Sequence, residues 1–223
     1  MWWPQSRASK HYFESVGLLT LLCLVLLVYR AINTHTLRYF FVPENLILAW
    51  AGLYFGWLLS EWLRNHPWKS WSSIVLSALW LFFLPNTWYL VTDFIHVYPT
   101  GEISELYDIV LMMSVTLVGI ILGYTSLYLM HREFKKRLTP ARTFLVIEAV
   151  ILLSSYAIYL GRVLRWNSWD VISNPGGLII NVSSSVLDPL GQPHAFSLAG
   201  LFFVVLSVTY WALWRGTVAL KSL

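Results

Sequence analysis

The sequence predicts an all-α, polytopic membrane protein: a bundle of six transmembrane helices making one integral membrane domain over residues 1–223. Three observations predict it. The chain is 57% hydrophobic and only 12% charged, where an ordinary soluble domain carries roughly a quarter charged residues. Its mean hydropathy of +0.62 is too high for a water-facing surface of this size. Six apolar runs of about 20 residues, the length a helix needs to cross a bilayer, are joined mostly by short polar connections. The 13 Trp and 12 Tyr agree, because amphipathic rings collect at membrane–water interfaces.

The first span is expected over residues 15–32. The preceding WWPQSRASKHYFES gives it the basic-then-apolar order of a signal peptide, but YRAINTH follows with no small-x-small cleavage site, so an uncleaved helix is expected. The second span is expected over 44–62. The third, over 71–97, is expected to be broken at Pro85. Residues 71–84 alone would reach only about 21 Å at 1.5 Å per residue, short of a core of about 30 Å. Proline removes one helical donor and clashes with the carbonyl four residues back, so a freed carbonyl needs a partner such as Asn86.

The fourth span is expected over 106–130, with Ser104 as N-cap and Glu105 and Asp108 in a first turn where the helix dipole favours acids. The fifth covers 143–164 and the sixth 195–214. Between them SNPGGLIINVSSSVLDPLGQPHAF suggests a short interfacial helix, started at Asn174–Pro175, with Leu178, Ile179, Val182 and Val186 at helical spacing. The basic loop HREFKKRLTPAR, opened by His131 and Arg132, reads as a cytoplasmic anchor that contacts anionic lipid.

Orientation follows from Lys and Arg in the short connections. With both termini in the cytoplasm, eleven of the 15 basic residues are inner. Arg30, Arg38, Arg162 and Arg165 are outer. The location expected is the cell (inner) membrane, crossed several times. The sequence pI of 9.2 therefore reads as topology rather than nucleic-acid binding, since no basic stripe interleaved with aromatics lies away from a helix end. The single cysteine, Cys23, lies in the first apolar run and offers neither a disulfide framework nor a thiolate metal site. Nothing in the sequence fixes an oligomeric state.

If helix resumes after Pro85, Asn86, Tyr89, Asp93 and His96 are spaced three, four and three, which places them on one face. A polar stripe in an apolar sleeve has to face protein or a watery cavity, since a charge facing lipid costs roughly 3 kcal/mol. Asp108 lies deepest of the fourth span's acids. At the end of the fifth span Arg162 and Arg165 share a face, with Asn167 and Asp170 just beyond. Two arginines suit a phosphate or carboxylate, although cations also stabilise a helix C-terminus and snorkel to the interface. These residues are expected to gather in one wet pocket at the outer leaflet, with His194 able to approach it. Glu148, about two turns into the fifth span, is an intramembrane carboxylate and hence a candidate proton site, unless a neighbouring Ser, Tyr or Arg satisfies it.

Two stretches, LPNTWYLVTDFIHV and IYLGRVLRWNSWD, resemble signatures of an uncharacterised bacterial integral membrane family, domain of unknown function 1361. The resemblance runs from about the second span to the sixth. It marks Leu84, Pro85, Asn86, Tyr89, Thr92 and Asp93 in the first stretch. In the second it marks Gly161, Arg162, Arg165, Asn167, Ser168, Trp169 and Asp170. Many members resemble LPNAPY, so Thr87 and Trp88 depart from the pattern. The resemblance implies a membrane location and no particular reaction.

Four functions fit these residues. The first is binding of an anionic or lipid-linked ligand at the outer pocket by Asn86, Tyr89, Arg162, Arg165, Asn167 and Asp170. The second is an envelope enzyme in which Asp93, His96 and Asp108 supply acid–base groups or ligands for a divalent metal, with the arginines holding an anionic head group. Two ligands three residues apart are a weak metal signal. The third is a proton-coupled transporter using Glu148; no second broken helix in a corresponding half supports it. The fourth is a non-catalytic membrane scaffold whose polar groups are interhelical hydrogen bonds.

Overall fold

In lipid, backbone amides and carbonyls find no water, so an apolar run of this length satisfies them within itself as a helix. The computed structural model describes residues 7–99, 101–166, 173–177, 180, 183 and 193–220. Its helices are α1 (Arg7–Thr34), α2 (Phe41–Trp62), α3 (Trp71–Tyr89), a 3-10 segment (Leu90–His96), α4 (Glu105–Lys135), α5 (Pro140–Arg162) and α6 (Pro193–Leu220). With α3 and the 3-10 segment counted as one continuous stretch, six are long and apolar enough to cross a membrane. No strand occurs among the described residues. The chain divides into two compact units, Met1–Glu133 and Phe134–Leu223.

In the first unit, α1 buries Val16, Cys23 and Arg30, seven residues apart, and exposes Leu18, Leu21, Leu22, Val25 and Val28 on other faces. That apolar exposed surface suits lipid. The buried side joins α2 and α4 in a core that includes Leu46, Leu53, Leu111, Met112 and Leu122, closed by Tyr39 and Leu90.

Two glycine pairs set how closely these helices approach. Gly52 and Gly56 lie one turn apart on α2, and Gly119 and Gly123 one turn apart on α4. A methyl group at Gly52 would stand 2.9 Å from the Phe83 carbonyl oxygen, and one at Gly119 would run into the Thr87 carbonyl. At Gly123 it would meet the Thr87 hydroxyl and the Trp88 indole. Burial of apolar area gives helices in lipid no net drive to associate, so such van der Waals approach and interhelical hydrogen bonds carry the packing. The bonds are present: Trp80 Nε1 donates to Ser126 Oγ at 3.0 Å, and Ser126 Oγ donates to the Gly52 carbonyl at 2.8 Å, tying α3, α4 and α2.

Pro85 does not interrupt α3. The helix runs through it to Tyr89 and tightens to 3-10 geometry only at Leu90. Asn86 Nδ2 reaches the Phe82 and Phe83 carbonyls at 3.5 and 3.3 Å, and Thr87 Oγ1 donates to the Leu84 carbonyl at 2.7 Å. Side-chain donors thus serve the carbonyls around the proline, and neighbouring helices hold the turn in place. At the transition, Thr116 of α4 donates to the Leu90 carbonyl at 3.2 Å.

The helices also outrun the expected spans. Charged residues continue a helix beyond lipid until a breaker intervenes, so α4 reaches Lys135, and His131 and Arg132 belong to it rather than to a loop. α4 starts where expected, with the Ser104 carbonyl accepting from Tyr107 and Asp108. α5 begins earlier, with Pro140 in its first turn and Thr139 Oγ1 accepting from the Arg142 amide at 3.4 Å.

In the second unit, α5 and α6 pack antiparallel. Phe144 and Trp211 rings lie 5.3 Å apart near one end, and Tyr159 shares a cluster with Ala199 nearer the other. Arg165 takes a left-handed conformation, φ 57°, just past the end of α5. The Gly177 amide donates to Asn174 Oδ1 at 3.1 Å, the bond of a helix start at Asn174. Most of the expected interfacial helix lies outside the described residues.

The glycine contacts predict that Gly119→Ala lowers the thermal midpoint of the detergent-purified protein by the equivalent of about 1–3 kcal/mol, the usual penalty for overpacking. Gly17→Ala, with nothing near its added methyl, leaves the midpoint unchanged. Size-exclusion survival after heating reads both.

Candidate functional site

The buried seven-residue repeat of α1 carries Arg30 inward, where the first turn of α4 presents Asp108. Arg30 is 1% exposed and Asp108 2%. Arg30 Nε donates to Asp108 Oδ1 at 2.7 Å and Nη2 to Oδ2 at 3.2 Å, the two-pronged geometry that makes Arg–carboxylate pairs strong. Nη2 also reaches Glu102 Oε2 at 3.4 Å, and Nη1 reaches Thr36 Oγ1 at 3.2 Å. From the α1–α2 connection, Tyr39 donates its hydroxyl to Asp108 Oδ2 at 3.0 Å, and the Arg30 guanidinium lies 4.5 Å from its ring centre. Burial, then the hydrogen bond and charge of Asp108, push the Tyr39 phenol up to about 12, so it remains a donor at any ordinary pH.

A second polar group surrounds the 3-10 segment. Asp93, 1% exposed, accepts from Asn45 Nδ2 of α2 at 3.0 Å. The His96 ring lies 4.8 Å from that of Phe41. Its carbonyl accepts from Arg38 Nη2 at 2.8 Å and from the Tyr39 hydroxyl at 3.4 Å. Tyr39 thereby links the 3-10 segment to Asp108.

Asp93, His96 and Asp108 thus lie at the same end of the first unit but are committed to different partners. Among the described residues, no group of three or more His, Cys, Asp and Glu is placed to hold a metal ion. Asn86 serves backbone carbonyls, and Tyr89 is partly buried at the end of α3. The expected stripe is altered because the buried face of α3 carries Leu84, Thr87 and Trp88, with Thr92 and Asp93 following in the 3-10 segment.

In the second unit, Arg162 is partly buried in the last turn of α5 and Arg165 is exposed beyond it. Asn167, Asp170 and the His194 side chain lie outside the described residues. Glu148 accepts from Ser207 Oγ, at 2.9 Å to each carboxylate oxygen, and from Trp211 Nε1 at 2.5 Å. A serine was among the expected partners; the indole was not.

Arg30, Arg38, Tyr39 and Asn45 are the residues that sequence reasoning left out of the site. A signal existed for Arg30: it continues the Val16–Cys23 repeat that α1 buries, so it was bound to need a counterion.

A family profile described as "Protein of unknown function (DUF1361)" matches residues 45–209. The chain belongs to the DUF1361 family. Within the family match fall α2 after its first turn, α3 to α5, most of α6, Asp93 and Asp108; Arg30, Arg38 and Tyr39 precede it. No curated protein matches the chain, and no solved structure does.

The two arginines of the first unit are predicted to differ. Arg30→Gln strands a buried carboxylate and lowers stability by about 3–5 kcal/mol. Arg38→Gln removes one hydrogen bond to a carbonyl and costs about 1–2 kcal/mol. Thermal midpoints of the two purified variants give the comparison; equal losses would contradict the assignment.

Proposed function

We propose that this DUF1361 protein is a multi-pass protein of the cell membrane, with both termini cytoplasmic, that binds an anionic or lipid-linked ligand at its outer face. The orientation rests on the basic residues, eleven of 15 falling in segments that it places inside. One observation carries the binding reading: three carboxylates that this orientation puts outside, Asp108, Glu102 and Asp93, have partners within the first unit, while one arginine in each unit has no carboxylate partner among the described residues. Asp108 and Glu102 engage Arg30, and Asp93 engages Asn45. Arg38 and Arg165 make no ion pair among the described residues. Arginine in that state favours planar oxyanions such as phosphate and carboxylate.

The enzyme reading, through Asp93, His96 and Asp108, has weaker support. A carboxylate held in a bidentate ion pair is a poor general base, because losing its negative charge breaks the pair. Transport through Glu148 likewise asks a carboxylate already engaged by Ser207 and Trp211 to change partners. The scaffold reading accounts for these bonds, including that of Arg38 to the His96 carbonyl, but not for the shielded, unpartnered Nη1 of Arg38.

Protein purified in mild detergent is expected to retain phosphatidylglycerol several-fold over phosphatidylcholine in native mass spectrometry. Equal retention of the two, together with no binding of inorganic phosphate, would refute the binding reading. Orientation has its own test: Ser104→Cys should react with a membrane-impermeant maleimide on intact cells, and Ala141→Cys only after permeabilisation. Cys23, being buried, gives little background, and the reverse pattern would overturn the topology.

A further inference from the structure

We propose that Arg38, held by Tyr98 and the His96 carbonyl, is a binding site for a phosphate oxyanion. This rests on the anionic-ligand reading and gives it a location in the α1–α2 connection, ahead of the segment that matches the family.

The geometry is that of a cation fixed in place with its donors mostly unspent. The Arg38 guanidinium carbon stands 3.6 Å from the centre of the Tyr98 ring and 5.5 Å from that of Tyr39. Stacking on aromatic faces orients a guanidinium without consuming its N–H groups. Of five N–H donors, one is used in a bond to protein, from Nη2 to the His96 carbonyl at 2.8 Å. Nη1 is shielded from solvent and has no hydrogen-bond partner. A charged group with a shielded, unsatisfied donor carries a desolvation cost that an incoming acceptor relieves.

Arg30, in α1 and near the same Tyr39 ring, provides a contrast. Its charge is matched by Asp108 and Glu102 and its donors are taken by those acids and by Thr34 and Thr36. An anion arriving at this end of the first unit therefore finds Arg38 as the uncommitted charge. The surroundings favour an oxyanion carried on an apolar molecule: Tyr98, stacked on the cation, is 58% exposed, and Leu37 and Phe40, close to Arg38 in the chain, are exposed as well. A phospholipid head group presents this chemistry beside acyl chains, and free phosphate presents it without them. Because Tyr98 is exposed, its ring can shift to admit an oxygen to the guanidinium edge without disturbing the core.

The experiment compares the full-length protein with Arg38→Gln and Tyr98→Ala. Phosphatidylglycerol binding is read by native mass spectrometry, and displacement by inorganic phosphate is measured in parallel. Arg38→Gln is expected to weaken phosphatidylglycerol binding roughly tenfold, the loss of one charge-assisted contact. Tyr98→Ala, an exposed position, should weaken it by a smaller factor while leaving the thermal midpoint unchanged. Lys69→Gln, an exposed cation in the connection between α2 and α3, serves as the control and should leave the binding unchanged. Phosphate that displaces the lipid at millimolar levels identifies a site for the free ion; lipid that resists it identifies a head-group site, and either supports the oxyanion assignment. If wild type holds no phosphatidylglycerol preferentially and phosphate does not bind, the underlying reading fails. If wild type binds and both Arg38→Gln and Tyr98→Ala bind equally well, this site is wrong while that reading stands.

Discussion

Arg30 and Asp108 meet across 78 positions of chain with both side chains almost wholly buried, and the end of the first unit is arranged around them. A guanidinium on the buried side of α1 could not stay there alone, because removing a charge from water costs several kcal/mol and only a well-formed counterion offsets it. Asp108 supplies that counterion from the first turn of α4, where the helix dipole already favours an acid. The pair fixes where α1 ends relative to α4. It also captures the Tyr39 hydroxyl, which ties the connection before α2 to the His96 carbonyl. Arg38, the next basic residue along, is left facing Tyr98 with no carboxylate of its own among the described residues.

Packing deeper in the same unit obeys a different constraint. Glycines on α2 and α4 let the backbone of α3 come close enough that its carbonyls meet them directly. The residues on both sides of Pro85, Phe83 and Leu84 before it and Thr87 and Trp88 after it, make these contacts, and the helix continues through the proline to Tyr89. Thr87 and Trp88, the two positions that depart from the family-like LPNAPY pattern, are the ones that contact Gly119 and Gly123. Their role lies in the contact between α3 and α4. Asn86, expected to bind ligand or to partner the carbonyl that Pro85 frees, reaches the Phe82 and Phe83 carbonyls, one and two residues beyond that of Leu81.

The spans were legible because hydropathy and length report directly on what a bilayer demands. Their ends were less so: lipid sets a minimum length, whereas the helix stops only at a breaker, which is why α4 includes His131 and α5 reaches back to Pro140. The change to 3-10 geometry at Leu90 carries no local signal. It depends on α4, through Thr116, and no window of sequence contains both. The same limit applied to the site. Asp93, His96 and Asp108 stood out as polar residues in apolar surroundings, yet their partners Asn45, Arg38 and Arg30 are distant in sequence, and partnership decides whether a carboxylate is a structural post or a working group. Glu148 had the opposite outcome, since a nearby serine was an anticipated partner and Ser207 provides one.

A double-mutant cycle between Arg30 and Asp108, measured by denaturation of the purified protein, tests this account most directly. The pair should show a coupling energy of about 2 kcal/mol or more, with the combined substitution Arg30→Met and Asp108→Leu less damaging than the sum of the two alone. Additive losses, with coupling below about 0.5 kcal/mol, would mean that the pair does not hold this end of the unit together. The contrast drawn between a spent Arg30 and an uncommitted Arg38 would then have no basis.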